Sequence, residues 1–145
     1  MTFADRLRDD RGALSLEAVI LFPAIILVLL LVVAFGRISS ADNAVDTAAR
    51  NAARAASLER NGAAAGSAGE QMARSVLNQQ GLACTSTSVS IETGGFAARI
   101  GDAASTTATV QCTVRLSDIG LPGLPGAKTM TSSFTSPIDS YRQRG

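Results

Sequence analysis

The sequence contains no histidine, no tryptophan and one tyrosine among its 145 residues. Histidine is the commonest general base and a frequent zinc ligand, so its absence removes the usual basis for both kinds of site. No serine lies in a GxSxG turn, and Gly94-Gly95 lacks the lysine and the spacing of a phosphate-binding loop. The acids Glu92, Asp102 and Asp118 are scattered in or beside predicted turns. We therefore expect no enzyme, no cofactor and no metal site.

Strong charge and large core side chains are also scarce. Thirteen basic and 12 acidic residues give a net charge of +1, which argues against a nucleic-acid partner because such a partner needs a concentrated basic face. About 110 residues lie beyond the N-terminal segments, enough for one small domain. Phe96 and Phe134 are the only phenylalanines in that part of the chain. A core this thin needs a crosslink, a long helix or a partner.

An uncharged run from Ala18 to Gly36 is the most informative feature that is present. Its 19 residues are closed by Arg37. As a helix the run would be about 29 Å long, close to the hydrocarbon thickness of a bilayer. Glu17 lies just inside this apolar stretch, where a carboxylate is costly unless it is paired or neutralised. The run therefore predicts a membrane helix, and Pro23 is a position at which that helix can kink.

The flanking charges predict the orientation of this helix. Arg6, Arg8 and Arg11 precede the run, whereas only Arg37 follows it closely. The positive-inside rule then predicts a single-pass protein of the cell membrane with a cytoplasmic N terminus and an extracytoplasmic C-terminal domain. A cleaved secretory signal peptide is the competing interpretation. The run is longer than an h-region of about 7 to 15 residues and lacks a convincing small-x-small cleavage site, which favours the membrane helix.

Four segments follow from these patterns: a charged cytoplasmic leader at 1–12, a transmembrane helix at 13–36, an alanine-rich helical extension at 37–60, and a small exported domain at 61–145. The first helix should continue beyond the membrane, to about 46 residues in all. Small residues recur at helical spacing along the extension. They are Ala41, Ala44, Val45, Ala48, Ala49, Ala52, Ala53 and Ala56. This stripe either rests on the chain's own domain or lets several copies of the helix approach one another.

A second, short helix is predicted after a flexible break at 61–69. Ser67 to Glu70 matches a capping box, and Gly81 stands where a left-handed C-cap residue belongs. Met72 is expected in the apolar side of this helix, as a core residue rather than a ligand contact.

Beyond Leu82 the pattern changes to strands, which gives an α+β fold with a small antiparallel sheet of about three strands. The first strand covers about 84–91, and alternation from Thr106 to Leu116 marks the second and places Cys112 on its buried face. The third covers about 128–136, with Met130 and Phe134 inward and Pro137 ending it. The segment 117–127 is a turn-rich connection, and the tail from Asp139 is predicted to fray.

Cys84 and Cys112 are the only cysteines, and an even pair in a small exported domain predicts a disulfide. If the first two strands pair around a loop centred near Ala98, Cys84 lies directly opposite Cys112. Closing a loop of this length contributes on the order of 3 kcal/mol.

The N-terminal residues resemble a known family. Residues 11–18 read Arg-Gly-Ala-Leu-Ser-Leu-Glu-Ala, residues 21–24 read Leu-Phe-Pro-Ala, and Phe-Gly-Arg closes the run at 35–37. A charged leader ending in glycine, with glutamate as the fifth residue after it, resembles the class III signal of type IV pilins. In more detail the segment resembles TadE-like minor pilins of tight-adherence, or Flp-type, pilus systems. Ala13 stands where classical pilins have an aromatic residue.

This resemblance implies a minor pilin or pseudopilin, a membrane-anchored structural component in assembly of a tight-adherence type IV pilus. Gly12 would precede the bond that a prepilin peptidase cleaves, and Ala13 would become the mature N terminus. Glu17 would matter for processing or assembly, and Pro23 would serve assembly. The implied partners are the peptidase, other pilins, the pilus assembly machinery and membrane lipid. The alternative is a single-pass anchored surface protein whose small extracytoplasmic domain binds another component.

Overall fold

The computed structural model describes residues 3–118 and 125–141, with side chains from Glu17 onward. Its elements in chain order are α1 (Phe3–Ser57), α2 (Gly62–Gln79), β1 (Ser86–Glu92), a 3-10 turn (Gly94–Ala97), β2 (Ala104–Arg115) and β3 (Ala127–Ile138). The predicted α+β class is confirmed. The start of the predicted leader at 1–2, most of the turn-rich connection at 119–124 and the end of the tail at 142–145 lie outside the described residues.

Helix α1 begins ten residues before the predicted start at Ala13 and passes through Pro23 without a break. The segment from Phe3 contains no proline before Pro23. A glycine such as Gly12 costs a helix only about 1 kcal/mol, and extending an existing helix is easier than starting one. The chain divides into two compact units at 1–36 and 37–145, each of which we describe separately.

Helix α2 begins at Gly62, so the prediction of a flexible break followed by a capping box at Ser67 was wrong. Asn61 is the N-cap, and its side-chain oxygen accepts a hydrogen bond from the backbone N–H of Ala64 at 2.8 Å. That bond satisfies one of the free N–H groups of the first turn, which is what a capping residue does. Glu70 instead pairs with Arg74 one turn later, at 2.9 Å.

The end of α2 follows the prediction. Gly81 has φ +67, the left-handed conformation that favours glycine. The N–H of Leu82 donates to the carbonyl of Leu77 at 3.1 Å, and the N–H of Gly81 donates to Asn78 at 3.0 Å. These two bonds form a Schellman motif, which turns the chain from α2 toward the sheet.

The two helices pack closely because Gly69 has no side chain. A Cβ at this position would lie 2.8 Å from Cδ1 of Ile91 and 3.3 Å from the backbone oxygen of Ala52. The predicted core position of Met72 was wrong, since 40% of this residue is exposed. It lines an open surface cleft between α2 and the end of α1, together with Leu58.

The sheet has the order β1-β2-β3, with both pairs antiparallel. The predicted alternation in β2 is confirmed, with buried residues Thr106, Ala108, Val110, Cys112 and Val114. The predicted register of β1 was wrong: Thr87, not Cys84, lies opposite Cys112. A shift of three residues exchanges the two faces of a strand. It turns Val89 and Ile91 toward the core and leaves the serines of β1 on the outer face.

Strand β3 extends to Ile138, so Pro137 does not end it and instead pairs with Ser105 of β2. Proline is tolerated here because β3 is an edge strand, on which one row of N–H groups has no partner strand. Met130 is buried as predicted, whereas Phe134 is 38% exposed and the prediction that it points into the core was wrong.

The outer face of the sheet is lined by hydroxyl groups that bond one another across strands. Three such pairs join β2 to β3, at 2.9 to 3.1 Å: Thr107 with Thr135, Thr109 with Ser133, and Thr113 with Thr129. The apolar content of the domain therefore lies on the inner face, between the sheet and the helices.

Candidate functional site

The predicted processing sequence lies within α1. Gly12 and Ala13 are part of its helical backbone, and the side chain of Ala13 lies outside the described part. Glu17 is the first residue with a described side chain, and it is exposed. A helix rises about 6 Å over the four residues from Ala13 to Glu17, which are neighbours on one helical face. An α-amine at Ala13 would therefore lie within reach of the Glu17 carboxylate of its own chain.

The segment that follows Glu17 exposes large apolar side chains on every side. Fourteen leucine, isoleucine, valine and phenylalanine residues between Val19 and Phe35 are 42 to 68% exposed. Burying one such side chain is worth about 1.5 to 3 kcal/mol, so this surface is unfavourable in water. A helix that is apolar all round is typical of a membrane span or of a buried core, and burial within this unit is slight.

Within the described residues, one helical stretch, Glu17–Ser57, is long and apolar enough to cross a membrane once. Pro23 lies inside its apolar part.

The alanine stripe of α1 is covered by the chain's own domain. Its eight residues, from Ala41 to Ala56, are each no more than 5% exposed. Most belong to one core cluster with residues of α2, β2 and β3, including Ala73, Val110 and Met130. The interpretation that the stripe rests on the small domain is thus confirmed. The alternative, that it forms a contact surface between copies of the helix, was wrong because no open face of the stripe remains.

Polar contacts fix α1 to the edge strand β3. Asp46 and Arg50, four residues apart on α1, form an ion pair at 2.9 Å. Asp46 also accepts a hydrogen bond from the hydroxyl of Ser132 at 2.9 Å. The Arg50 guanidinium lies 5.5 Å from the ring centroid of Phe134, a cation–π distance that accounts for the position of this half-exposed ring. Further along α1, the hydroxyl of Ser136 donates to that of Ser57 at 3.1 Å.

A disulfide joins Cys84 and Cys112, with their Cα atoms 5.5 Å apart. Because Cys84 precedes β1, the bridge ties the α2–β1 connection to the C-terminal part of β2 rather than linking two directly opposed strand residues. The N–H of Thr85 donates to the carbonyl of Thr113 at 2.7 Å and holds the same segment against β2.

Among residues 3–118 and 125–141, no three histidine, cysteine, aspartate or glutamate side chains group as metal ligands. Asp118 pairs with Arg115 at 3.0 Å.

The sequence carries only a weak signal for the contact between Arg50 and Phe134. This contact depends on which strand lies at the edge of the sheet, and strand order cannot be derived from the spacing of residues. What remains as a candidate site is the N-terminal half of α1.

Comparison with known proteins bears on this half. The sequence model of the family TadE, described as TadE-like protein, matches residues 12–54. No curated protein and no solved structure matches the chain. The match begins at Gly12, includes Glu17 and the whole apolar run, and ends within the alanine stripe. Residues 12–54 are therefore similar to TadE-like proteins, which confirms the resemblance predicted for this segment from its sequence.

Proposed function

We propose that this protein is a minor pilin or pseudopilin, a membrane-anchored structural component in the assembly of a tight-adherence type IV pilus. The TadE-like match over residues 12–54 is the observation that carries the proposal. The family is a structural one, which fits a role in assembly and not in catalysis. The apolar helix supports anchorage in a membrane, and the bias of arginine toward its N-terminal side supports a cytoplasmic N terminus.

The proposed processing explains the order of residues at the start of the matched segment. A prepilin peptidase would cleave after Gly12 and release a cationic α-amine at Ala13. Glu17 would then pair with this amine, or with that of a neighbouring subunit after an axial shift. Opposite charges attract far more strongly in a low-dielectric environment than in water, so such a pair can set the register between subunits. Pro23 would serve the same assembly by adjusting the course of the helix.

One observation favours the alternative, an anchored surface protein that never joins a filament. The alanine stripe is buried by the chain's own domain and offers no open surface to the helices of other subunits. Contacts with other pilins would therefore have to come from the apolar half of α1 or from the domain surface.

Glu17→Gln separates the two candidates, because it preserves shape and removes the charge. We expect the variant to insert into the membrane as well as the unmodified chain, or slightly better, since a carboxylate opposes insertion. We also expect it to lose co-purification with partner pilins and to lower piliation. The matched control is Glu59→Gln, a half-buried glutamate just after the end of α1. Unchanged co-purification and piliation in Glu17→Gln would leave the anchored surface protein as the better account.

A further inference from the structure

An open groove of about 240 Å³ lies at the end of the domain where its part of α1 begins. Arg37 and Ser40 of α1 line one side, and the turn after α2, with Gln80 and Leu82, lines the other. Val114 near the end of β2 contributes to the apolar part of the lining. The groove therefore combines one cation, polar side chains and an apolar surface.

In the part of the chain that the structure describes, the charges around this groove leave one cation without an ion-pair partner. Asp118 lines the groove, and Arg115 pairs with it at 3.0 Å. Lys128 lies 3.7 Å from Asp42. Among the described residues, Arg37 has no ion-pair partner. The one uncompensated charge in the lining is therefore positive, and the groove favours an anionic ligand.

The position of Arg37 directly after the apolar run indicates which anions lie near the groove. Gly36 ends the uncharged run, Arg37 is the next residue, and Ser40 follows within one helical turn. If the run of about 29 Å spans the hydrocarbon layer, Arg37 lies at the level of the lipid headgroups. Arginine binds phosphate through several N–H donors in a fixed geometry, and long cationic side chains favour this interface.

We propose that this groove binds the phosphodiester headgroup of an anionic phospholipid. The Arg37 guanidinium would pair with the phosphate, the Ser40 hydroxyl would donate to it, and the glycerol would contact the apolar surface of Leu82. A bound lipid would thereby hold the α2–β1 turn to the membrane surface. The proposal rests on the membrane anchorage proposed above.

The test uses the full chain in nanodiscs that contain equal parts of phosphatidylglycerol and phosphatidylcholine. Native mass spectrometry counts the lipids that stay bound after the disc is disrupted. We expect phosphatidylglycerol to be enriched over phosphatidylcholine, and Arg37→Gln to lower this enrichment about fivefold, the effect of one charge near a membrane surface. Arg54→Gln is the matched control, because Arg54 also lacks an ion-pair partner among the described residues and lies about 25 Å further along α1.

A second variant distinguishes lipid binding in the groove from nonspecific attraction of anionic lipid to the charge of Arg37. Ala83 lines the groove and is exposed, so Ala83→Phe fills the space and leaves the charge unchanged. Ala127→Phe, at the exposed start of β3, is its control. We expect Ala83→Phe to lower the enrichment as Arg37→Gln does, and Ala127→Phe to leave it unchanged. An effect of Arg37→Gln without an effect of Ala83→Phe would overturn the groove as a binding site.

Alkaline extraction of the same preparations distinguishes failure of this site from failure of the anchorage. Release of the unmodified chain from the membrane would contradict the proposed anchorage and, with it, the lipid site. Retention of every variant together with equal enrichment in Arg37→Gln would contradict the lipid site alone.

Discussion

The two halves of α1 are both helical, but they differ in the size and the exposure of their apolar side chains. Between Val19 and Phe35 the helix exposes its large apolar side chains to the extent of 42 to 68%, whereas between Ala41 and Ala56 it buries small ones to 5% exposure or less. Large side chains gain most from transfer out of water into lipid, and small ones let another backbone come close. The first half is thus suited to a lipid solvent, and the second to contact with its own domain.

This difference also explains why the domain needs support. An alanine buries little apolar area, so the core cluster gains less free energy per residue than one built from leucine and phenylalanine. Among the described residues, few buried side chains are larger than alanine and aliphatic: Val45, Val76, Leu77, Val110, Val114, Met130 and Ile138. The bridge between Cys84 and Cys112 and the close approach at Gly69 compensate by constraining the chain.

The largest expected effect on the domain comes from removing the disulfide. Replacing Cys84 and Cys112 together by alanine should lower its free energy of unfolding by about 3 kcal/mol. The apolar half of α1 makes no use of the bridge, so the variant should stay in the membrane. Pulse proteolysis in increasing urea measures the domain, and alkaline extraction measures the anchor. Reductant added to the unmodified chain should shift the urea midpoint equally; no shift in either case would contradict a stabilising bridge.

A pair of alanine-to-leucine substitutions tests the contrast between the halves directly. Ala52→Leu places a large side chain in the buried stripe, next to Gly69, and should destabilise the domain by about 2 kcal/mol through overpacking. Ala24→Leu adds the same atoms to the exposed apolar half and should leave the stability of the domain unchanged. Hydrogen exchange of the β2 amides reports this stability. Equal effects of the two substitutions would mean that the halves do not differ as described.

The smallest effect is expected where α1 meets β3 through exposed polar groups. Asp46→Asn removes the ion pair with Arg50 and leaves an amide oxygen to accept from Ser132. We expect a loss of about 0.5 kcal/mol that shrinks as salt is added. Glu70→Gln on α2 is the matched control for an exposed i,i+4 pair with no tie to the sheet. A loss above about 2 kcal/mol in the Asp46 variant would show that this contact behaves as a buried network.

Much of the fold could be predicted because periodicity reports which face is buried. The alternation around Cys112 and the stripe from Ala41 to Ala56 both gave the correct buried residues. Register could not be predicted in the same way, because it depends on the turn at Gly94–Ala97. The predicted disulfide is correct, but the prediction that Cys84 lies directly opposite Cys112 in the sheet was wrong. Cys84 lies before the start of β1 and forms the bridge from there.

Positions at the rim of the domain were the other source of error. Met72 and Phe134 are apolar and have the right spacing for a core, yet they are 40% and 38% exposed. The prediction that Pro137 ends β3 was wrong because the tolerance of proline at a sheet edge depends on strand order. The predicted start of α2 was wrong because Asn61 caps a first turn rich in glycine and alanine.

The candidate processing site could be predicted from the sequence more completely than the fold. Gly12, Ala13 and Glu17 were found from a local motif, which needs no tertiary contacts to be recognised. The groove at Arg37 has no such motif, because it combines residues from α1, the turn after α2 and the end of β2. Only the folded chain brings them together.

The mass of the mature N terminus tests the central claim most directly. The protein is purified from cells that contain a prepilin peptidase, and intact and peptide mass spectrometry locate its first residue. Gly12→Leu, which places a bulky residue before the cleaved bond, is the control and should accumulate as precursor in the membrane. The account predicts that the unmodified protein begins at Ala13, having lost 12 residues. An unmodified protein that retains its leader in these cells would contradict it.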